Sequence, residues 1–255
     1  MIETRELEKY LNQILNPNQF NDYCPNGLQV EGKEKCKKIA FAVSATKSSI
    51  NEAIKQKADC LIVHHGVFWK YKGAQPIIGP FAKRVIPLIE NKINLFAYHL
   101  PLDANMEVGN AVSIANELDL ADIEPFAEYK ENHLGVKGKF KNPIGANELS
   151  KKLKIILDHD IILACPNETA TLKSIGIITG GANNEWTYAL QDKLDAYLTG
   201  EISEYNWHDS QEAGIHMFAG GHHATERFGV KALAKKIEKD FNNIETIFID
   251  SPNPV

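Results

Sequence analysis

Lys38-Ile39-Ala40-Phe41-Ala42-Val43-Ser44-Ala45 and, further on, Cys60-Leu61-Ile62-Val63 decide the fold. Both are nearly continuous apolar runs. That pattern belongs to strands covered on both faces, as in a parallel sheet. The polar-faced stretch between them, around Ser48 to Lys57, reads as a helix. The same alternation extends outward. A helix around Phe81 to Asn91 leads to a strand at Ile93 to Tyr98, and another helix runs from about Asn110 to Leu118. Later come strands at Ile175 to Thr179, Ala196 to Thr199, Ile215 to Ala219 and Glu245 to Ile249. Helices near Asn184 to Lys193, Ser203 to Glu212 and His222 to Lys239 separate them. At the start, Leu7, Tyr10, Leu11, Ile14 and Leu15 repeat with helical spacing until Asn16-Pro17 stops them. Repeated βα units predict a three-layer α/β fold. The stretch from Ile123 to Pro166 is less regular and reads as a small α+β insertion or connection.

A weak internal repeat points to two similar lobes. A displacement of 136 residues carries Ile39 onto Ile175, Phe41 onto Ile177, Lys57 onto Lys193, Asp59 onto Asp195 and His65 onto Glu201. At a different displacement Phe96-Ala97 matches Phe218-Ala219. Any two βαβ units look somewhat alike, so the repeat is an expectation for the structure to decide. It places one lobe at 1–122 and the other at 123–255, the latter with an irregular segment at 123–170. The expected fold is α/β, with two similar three-layer lobes sharing a metal-binding crevice at the carboxyl ends of the strands.

Composition narrows the class. The chain has 255 residues, 44% hydrophobic and 24% charged, the balance of a globular protein. A net charge of −5 argues against a broad nucleic-acid surface. No run of about 18 uncharged apolar residues exists, and the charged N-terminus lacks a signal-peptide core. The four cysteines show no C-x-x-C spacing and fit a reducing, cytoplasmic setting. P-loop, G-x-G-x-x-G and G-x-S-x-G motifs are missing, so neither a nucleotide-phosphate cradle nor a serine hydrolase has support.

Three segments that follow predicted strands carry the chemistry: His64-His65-Gly66, Tyr98-His99-Leu100-Pro101-Leu102-Asp103, and Gly220-Gly221-His222-His223-Ala224-Thr225-Glu226. His222 and Glu226 are four apart and share a helix face. Val230, Leu233 and Ile237 continue that face, so the pair extends an apolar stripe and points inward. A carboxylate there is costly to desolvate unless a cation accompanies it. Adjacent strand residues point to opposite faces, so either Gly66 lets the chain turn or the His64 and His65 rings serve two ions. Glu226 or Asp103 could bridge them. Each piece alone has a plainer explanation as a structural histidine, a solvated helix face or a helix cap. Together they favour a metal site with imidazole and carboxylate donors, suited to Zn, Fe, Mn, Co or Ni. His99 and Glu201 are candidate general acid or base residues, with His208 sharing a helical face with Glu201. Phe68, Trp69 and Tyr71 could stack a ring, and Gly180-Gly181 could offer N–H groups to an anion or simply form a tight turn.

These motifs resemble those of the GTP cyclohydrolase I type 2 homolog family, also called Nif-three-like or YbgI-like. The resemblance runs end to end. It is carried by Asp22-Tyr23-Cys24-Pro25-Asn26-Gly27-Leu28-Gln29-Val30-Glu31-Gly32, by the three segments above, by Thr199-Gly200-Glu201-Ile202-Ser203-Glu204 and by Phe248-Ile249-Asp250-Ser251-Pro252-Asn253-Pro254. The chain looks like the short form, without a central inserted domain. The resemblance implies two divalent ions held by His64, His65, Asp103, His222 and Glu226, and a homohexamer built as a trimer of dimers. It implies GTP as substrate, converted to 7,8-dihydroneopterin triphosphate and formate. The alternatives are a metal-dependent phosphoesterase acting on nucleotides or damaged nucleic acid, and a non-enzymatic metal-binding regulatory protein.

Overall fold

The structure is a computed structural model that describes residues 1–129 and 131–255. The chain divides into two compact units, one of residues 1–102 with 230–251, the other of residues 103–229 with 252–255. This differs from the division expected at residue 122. The C-terminal strand Glu245–Phe248 pairs in parallel with Lys38–Ser44, so the end of the chain completes the first sheet. The helix Asn110–Glu117 buries Ala111, Val112, Ile114 and Ala115 in a core with Leu172, Ile175 and Leu198, which places it in the second unit.

The first unit is built on a five-stranded sheet in the order Glu245–Phe248, Lys38–Ser44, Cys60–His65, Asn94–Ala97, Gly27–Val30. The first four are parallel and the last is antiparallel. Alternate residues fill both faces. Ala40, Ala42, Leu61 and Val63 face one core, while Ile39, Phe41, Cys60 and Ile62 are also buried. The expected strands are therefore apolar throughout because neither face meets water. The helix Lys47–Lys55 starts in a capping box, with the Ser49 N–H donating to Thr46 Oγ1 and the Thr46 N–H donating to Ser49 Oγ.

The second unit carries a six-stranded sheet in the order Leu120–Tyr129, Asn132–Gly145, Thr171–Ile177, Ala196–Thr199, His216–Ala219, Ile162–Ala164. Its central three strands are parallel. Ala196 and Leu198 point into one core and Tyr197 into another, again two covered faces. The stretch expected to be a less regular α+β insertion does combine strands and a helix, and its strands belong to the sheet itself. It supplies the strands Leu120–Tyr129, Asn132–Gly145 and Ile162–Ala164 and the helix Ala146–Leu157.

The internal repeat survives as shared register. Ile39 sits opposite Cys60 in one sheet, and Ile175 opposite Ala196 in the other. Among the described residues, no helix is long and apolar enough to cross a membrane.

Candidate functional site

The first unit gathers imidazoles at the end of its second parallel strand. His64 is fully buried, and its Nδ1 lies 3.1 Å from the Tyr98 carbonyl oxygen. A carbonyl only accepts, so in the neutral ring Nδ1 carries the proton and Nε2 the lone pair. His65, the last residue of the strand, has its Nδ1 3.0 Å from Ser44 Oγ. The two rings are tilted by 49° with centroids 4.5 Å apart, and a nitrogen of each lies within 4.8 Å of one on His99. Alternation along an ideal strand therefore does not separate them at this strand end. Gly66 leaves room for a side chain from a neighbouring segment. A Cβ there would overlap the Gln29 amide, whose Oε1 accepts from the Val67 N–H at 2.9 Å.

His99 is held from behind. Its Nδ1 is 2.7 Å from Asp22 Oδ1, and its backbone N–H donates to Asn26 Oδ1 at 2.8 Å. Asp22 also accepts from Asn26 Nδ2 and the Leu100 N–H, both at 2.9 Å, and from the Tyr23 N–H at 2.5 Å. Burial by itself would raise the Asp22 pKa. The hydrogen bond and charge of His99, with the Asn26 and Leu100 donors, outweigh it and hold the carboxyl at about 2. Asp22, Cys24 and His99 also lie close enough to share an ion. Burial and the nearby Asp22 charge push the Cys24 thiol up to about 12, so without a bound cation it stays protonated. Of the expected stacking aromatics, Trp69 packs edge-on to His99 at 5.3 Å and adjoins Tyr71, while Phe68 turns against Phe81.

The second unit gathers carboxylates. Glu226 is 3% exposed, on the first turns of the helix His222–Asp240. His222 Nε2 lies 3.2 Å from Glu226 Oε1, and His222 Nδ1 lies 2.5 Å from Glu201 Oε1. A carboxylate oxygen of Asp103 is within 4.8 Å of one of Glu226. Asp103 Oδ1 accepts from Asn110 Nδ2 at 2.8 Å and from Thr179 Oγ1 at 3.2 Å. Burial lowers the His222 pKa, but hydrogen bonds and charge from Glu226 and Glu201 overcome this and raise it to about 9. A cluster of acids this close favours positive charge, which is why the His222 pKa is raised. A divalent cation fits the same need, with imidazole and carboxylate donors of the hard-to-borderline kind. The backbone leaves room for the cluster at Gly180 (φ 69°), where a Cβ would overlap Glu226 Oε1 and lie 3.1 Å from His222 Nε2. The Gly180 N–H donates to Thr225 Oγ1, so it is not offered to an anion.

His208 does not join Glu201. The helix begins only at Glu204, and His208 sits on its exposed side, 3.5 Å from Glu204. Glu201 precedes that helix and turns to His222 instead.

The sequence matches the Duf34/NIF3 (NGG1p interacting factor 3) family over residues 2–254. The chain belongs to that family. A Haemophilus influenzae relative named GTP cyclohydrolase 1 type 2 homolog is 41% identical over 248 residues, 97% of this chain and 98% of its own. A relative of the same name from Escherichia coli K12 is 37% identical over 257 residues, covering 99% of this chain and 100% of its own. Among solved structures, one described as protein ybgI of unknown function is similar with a TM-score of 0.91 and 37% identity, over 100% of each chain. Reduced HcgD from Methanocaldococcus jannaschii, at 23% identity and a TM-score of 0.86, covers 98% of each chain and shares the fold.

In this Duf34/NIF3 chain the supporting residues escaped the sequence reading. Asp22, Asn26, Ser44 and Thr179 orient candidate residues that stand far from them in the chain, and Asn110 orients Asp103 from seven residues away. Asp22 and Asn26 sit inside a motif that carried the resemblance, which was the one signal available.

Proposed function

We propose that this chain is a metal-dependent hydrolase acting on a purine nucleotide, with GTP opened to 7,8-dihydroneopterin triphosphate and formate. His64, His65, Asp103, His222 and Glu226 are the proposed donors to two divalent cations. The observation that carries the reading is the pair of oriented imidazoles, His64 and His65, beside His99 with Asp22 fixed behind it. Membership of a family whose relatives are named GTP cyclohydrolase 1 type 2 homolog supports the choice of substrate.

When bound, divalent cations polarise acceptor oxygens and acidify water near neutral pH. The rest falls to the chain. The Tyr98 carbonyl leaves the His64 lone pair on Nε2, and the Ser44 hydroxyl holds the His65 ring in place. Loss of C8 as formate needs successive proton transfers to ring nitrogens. His99 is assigned to them: Asp22 occupies Nδ1, so Nε2 exchanges the proton. Glu201 is assigned to orienting His222. We further propose a homohexamer on the family resemblance, to be read as a mass of six chains in light scattering.

The test is incubation of metal-loaded protein with GTP, followed by assay of formate and of pterin fluorescence after oxidation. Formate well above that of a His65→Ala control is expected. No excess over that control rejects the cyclohydrolase reading. Phosphate or nucleoside monophosphate without formate replaces it with phosphoester hydrolysis. Metal binding without turnover of any nucleotide replaces it with a regulatory role.

A further inference from the structure

We infer that a cavity beside the imidazole strand is a polyphosphate subsite that takes the phosphate chain of a nucleoside triphosphate. The inference rests on the nucleotide reading above and adds where the charged end of the substrate is held. The cavity has a volume of about 500 Å³ and is lined by Val67, Lys72, Gln75, Ile78, Phe81 and Arg84, among others. That is within the range of small-molecule pockets, about 300–1,000 Å³. Val67 lies two residues beyond His65, so the cavity adjoins the strand end within the same unit.

Its charge is one-sided. Lys72 and Arg84 are its charged lining residues, and none of its lining residues is acidic. Elsewhere on this chain of net charge −5, several cations meet carboxylates. Lys33 meets Asp59, Lys38 meets Glu245, Lys139 meets Asp122 and Lys154 meets Asp160. Among the described residues, neither Lys72 nor Arg84 has a carboxylate within ion-pair distance. Two like charges facing one concavity repel, and an anion between them removes that cost. Arginine grips phosphate oxygens through two parallel N–H bonds, lysine acts as a point charge, and the Gln75 amide adds neutral donors. The loop that carries Gln75 runs between Gly73 (φ 60°) and Gly79 (φ 56°), two positions in the left-handed region. The helix Gly79–Glu90 then begins at the cavity, with Arg84 one turn in. Both cations are solvent-accessible, so the attraction is expected to weaken with salt.

The test uses the full-length chain with the single variants Arg84→Gln and Lys72→Gln, and inorganic tripolyphosphate as the probe in titration calorimetry. Wild type is expected to bind it, each variant about tenfold more weakly and with a shallower salt dependence. Guanosine binding should not change between wild type and variants. Where GTP is turned over, KM for GTP should rise about tenfold in Arg84→Gln while kcat is kept. Arg84→Lys should recover part of the loss. Equal tripolyphosphate affinity in wild type and both variants overturns the subsite. So does an Arg84→Gln variant that changes only the oligomeric mass, which would make this face a contact between copies. Failure to release formate from GTP would sink the cyclohydrolase reading and leave the tripolyphosphate result intact.

Discussion

Asp59 and Asp195 stand at the same point of two different units and do the same work. Asp59 Oδ2 accepts from the Lys37 and Lys38 N–H groups at 2.8 and 3.0 Å. Asp195 Oδ2 accepts from the Lys173 and Ser174 N–H groups at 2.7 and 3.0 Å. Just before them Lys57 and Lys193 take the left-handed conformation, with φ of 56° and 55°. In each unit a helix end, a left-handed residue and a clamped aspartate enter the second parallel strand in the same way. The two units part company at the other end of that strand. One reads His64-His65 and the other Gly200-Glu201. The frame is thus fastened at one end and varied at the other, and one unit offers imidazoles where the other offers carboxylates. The clamping aspartates and the candidate donors thus sit at opposite ends of the same strand.

That contrast can be broken experimentally. The largest effects are expected at the residues that orient the varied ends. Ser44→Ala removes the partner of His65, and Glu201→Gln weakens the partner of His222. Each should weaken divalent-metal affinity by about 10–100-fold with little change in Tm. Competition with a chelator measures this, and an unchanged affinity for either variant assigns that contact a purely structural role. Next come the clamps. Asp59→Ala and Asp195→Ala each lose two charge-assisted bonds to backbone N–H groups, worth about 2–3 kcal/mol. Urea midpoints should fall by similar amounts in both. A loss in one variant alone would show that the units are not equivalent.

A smaller effect is expected from Asp22. Its pKa in the fold is about 2, below the ordinary 3.8. A depressed carboxyl stabilises the fold above its unfolded pKa, and the gain is lost as pH falls through the folded value. Its contribution is about 2 kcal/mol. Asp22→Asn should therefore be less stable than wild type above about pH 4, with the gap closing toward pH 2. A gap that stays constant across that window would contradict the His99 pairing as its source.

Much of this frame was legible because its strands have no wet face. Lys38–Ser44, Cys60–His65 and Ala196–Thr199 read as apolar runs since both sides are covered. Asn132–Gly145 was not legible. It lies toward the margin of its sheet with Lys137, Lys139 and Lys141 along it, and these pair with surface acids. Its sequence therefore shows no apolar run. Nor does the sequence reveal that Glu245–Phe248 returns to Lys38–Ser44, because parallel pairing across so long a separation leaves no local mark. His222 and Glu226 could be placed together by helical spacing alone. Asp22 and His99 could not, since nothing in local periodicity ties a loop residue to one 77 positions away.

Elemental analysis of dialysed, metal-loaded protein tests the assigned donors directly. Two divalent ions per chain are expected for the natural sequence, with clear losses in His64→Ala and in Glu226→Ala variants that keep their fold by circular dichroism. Folded variants that retain the full metal content, or a natural chain that binds none, would contradict the assignment.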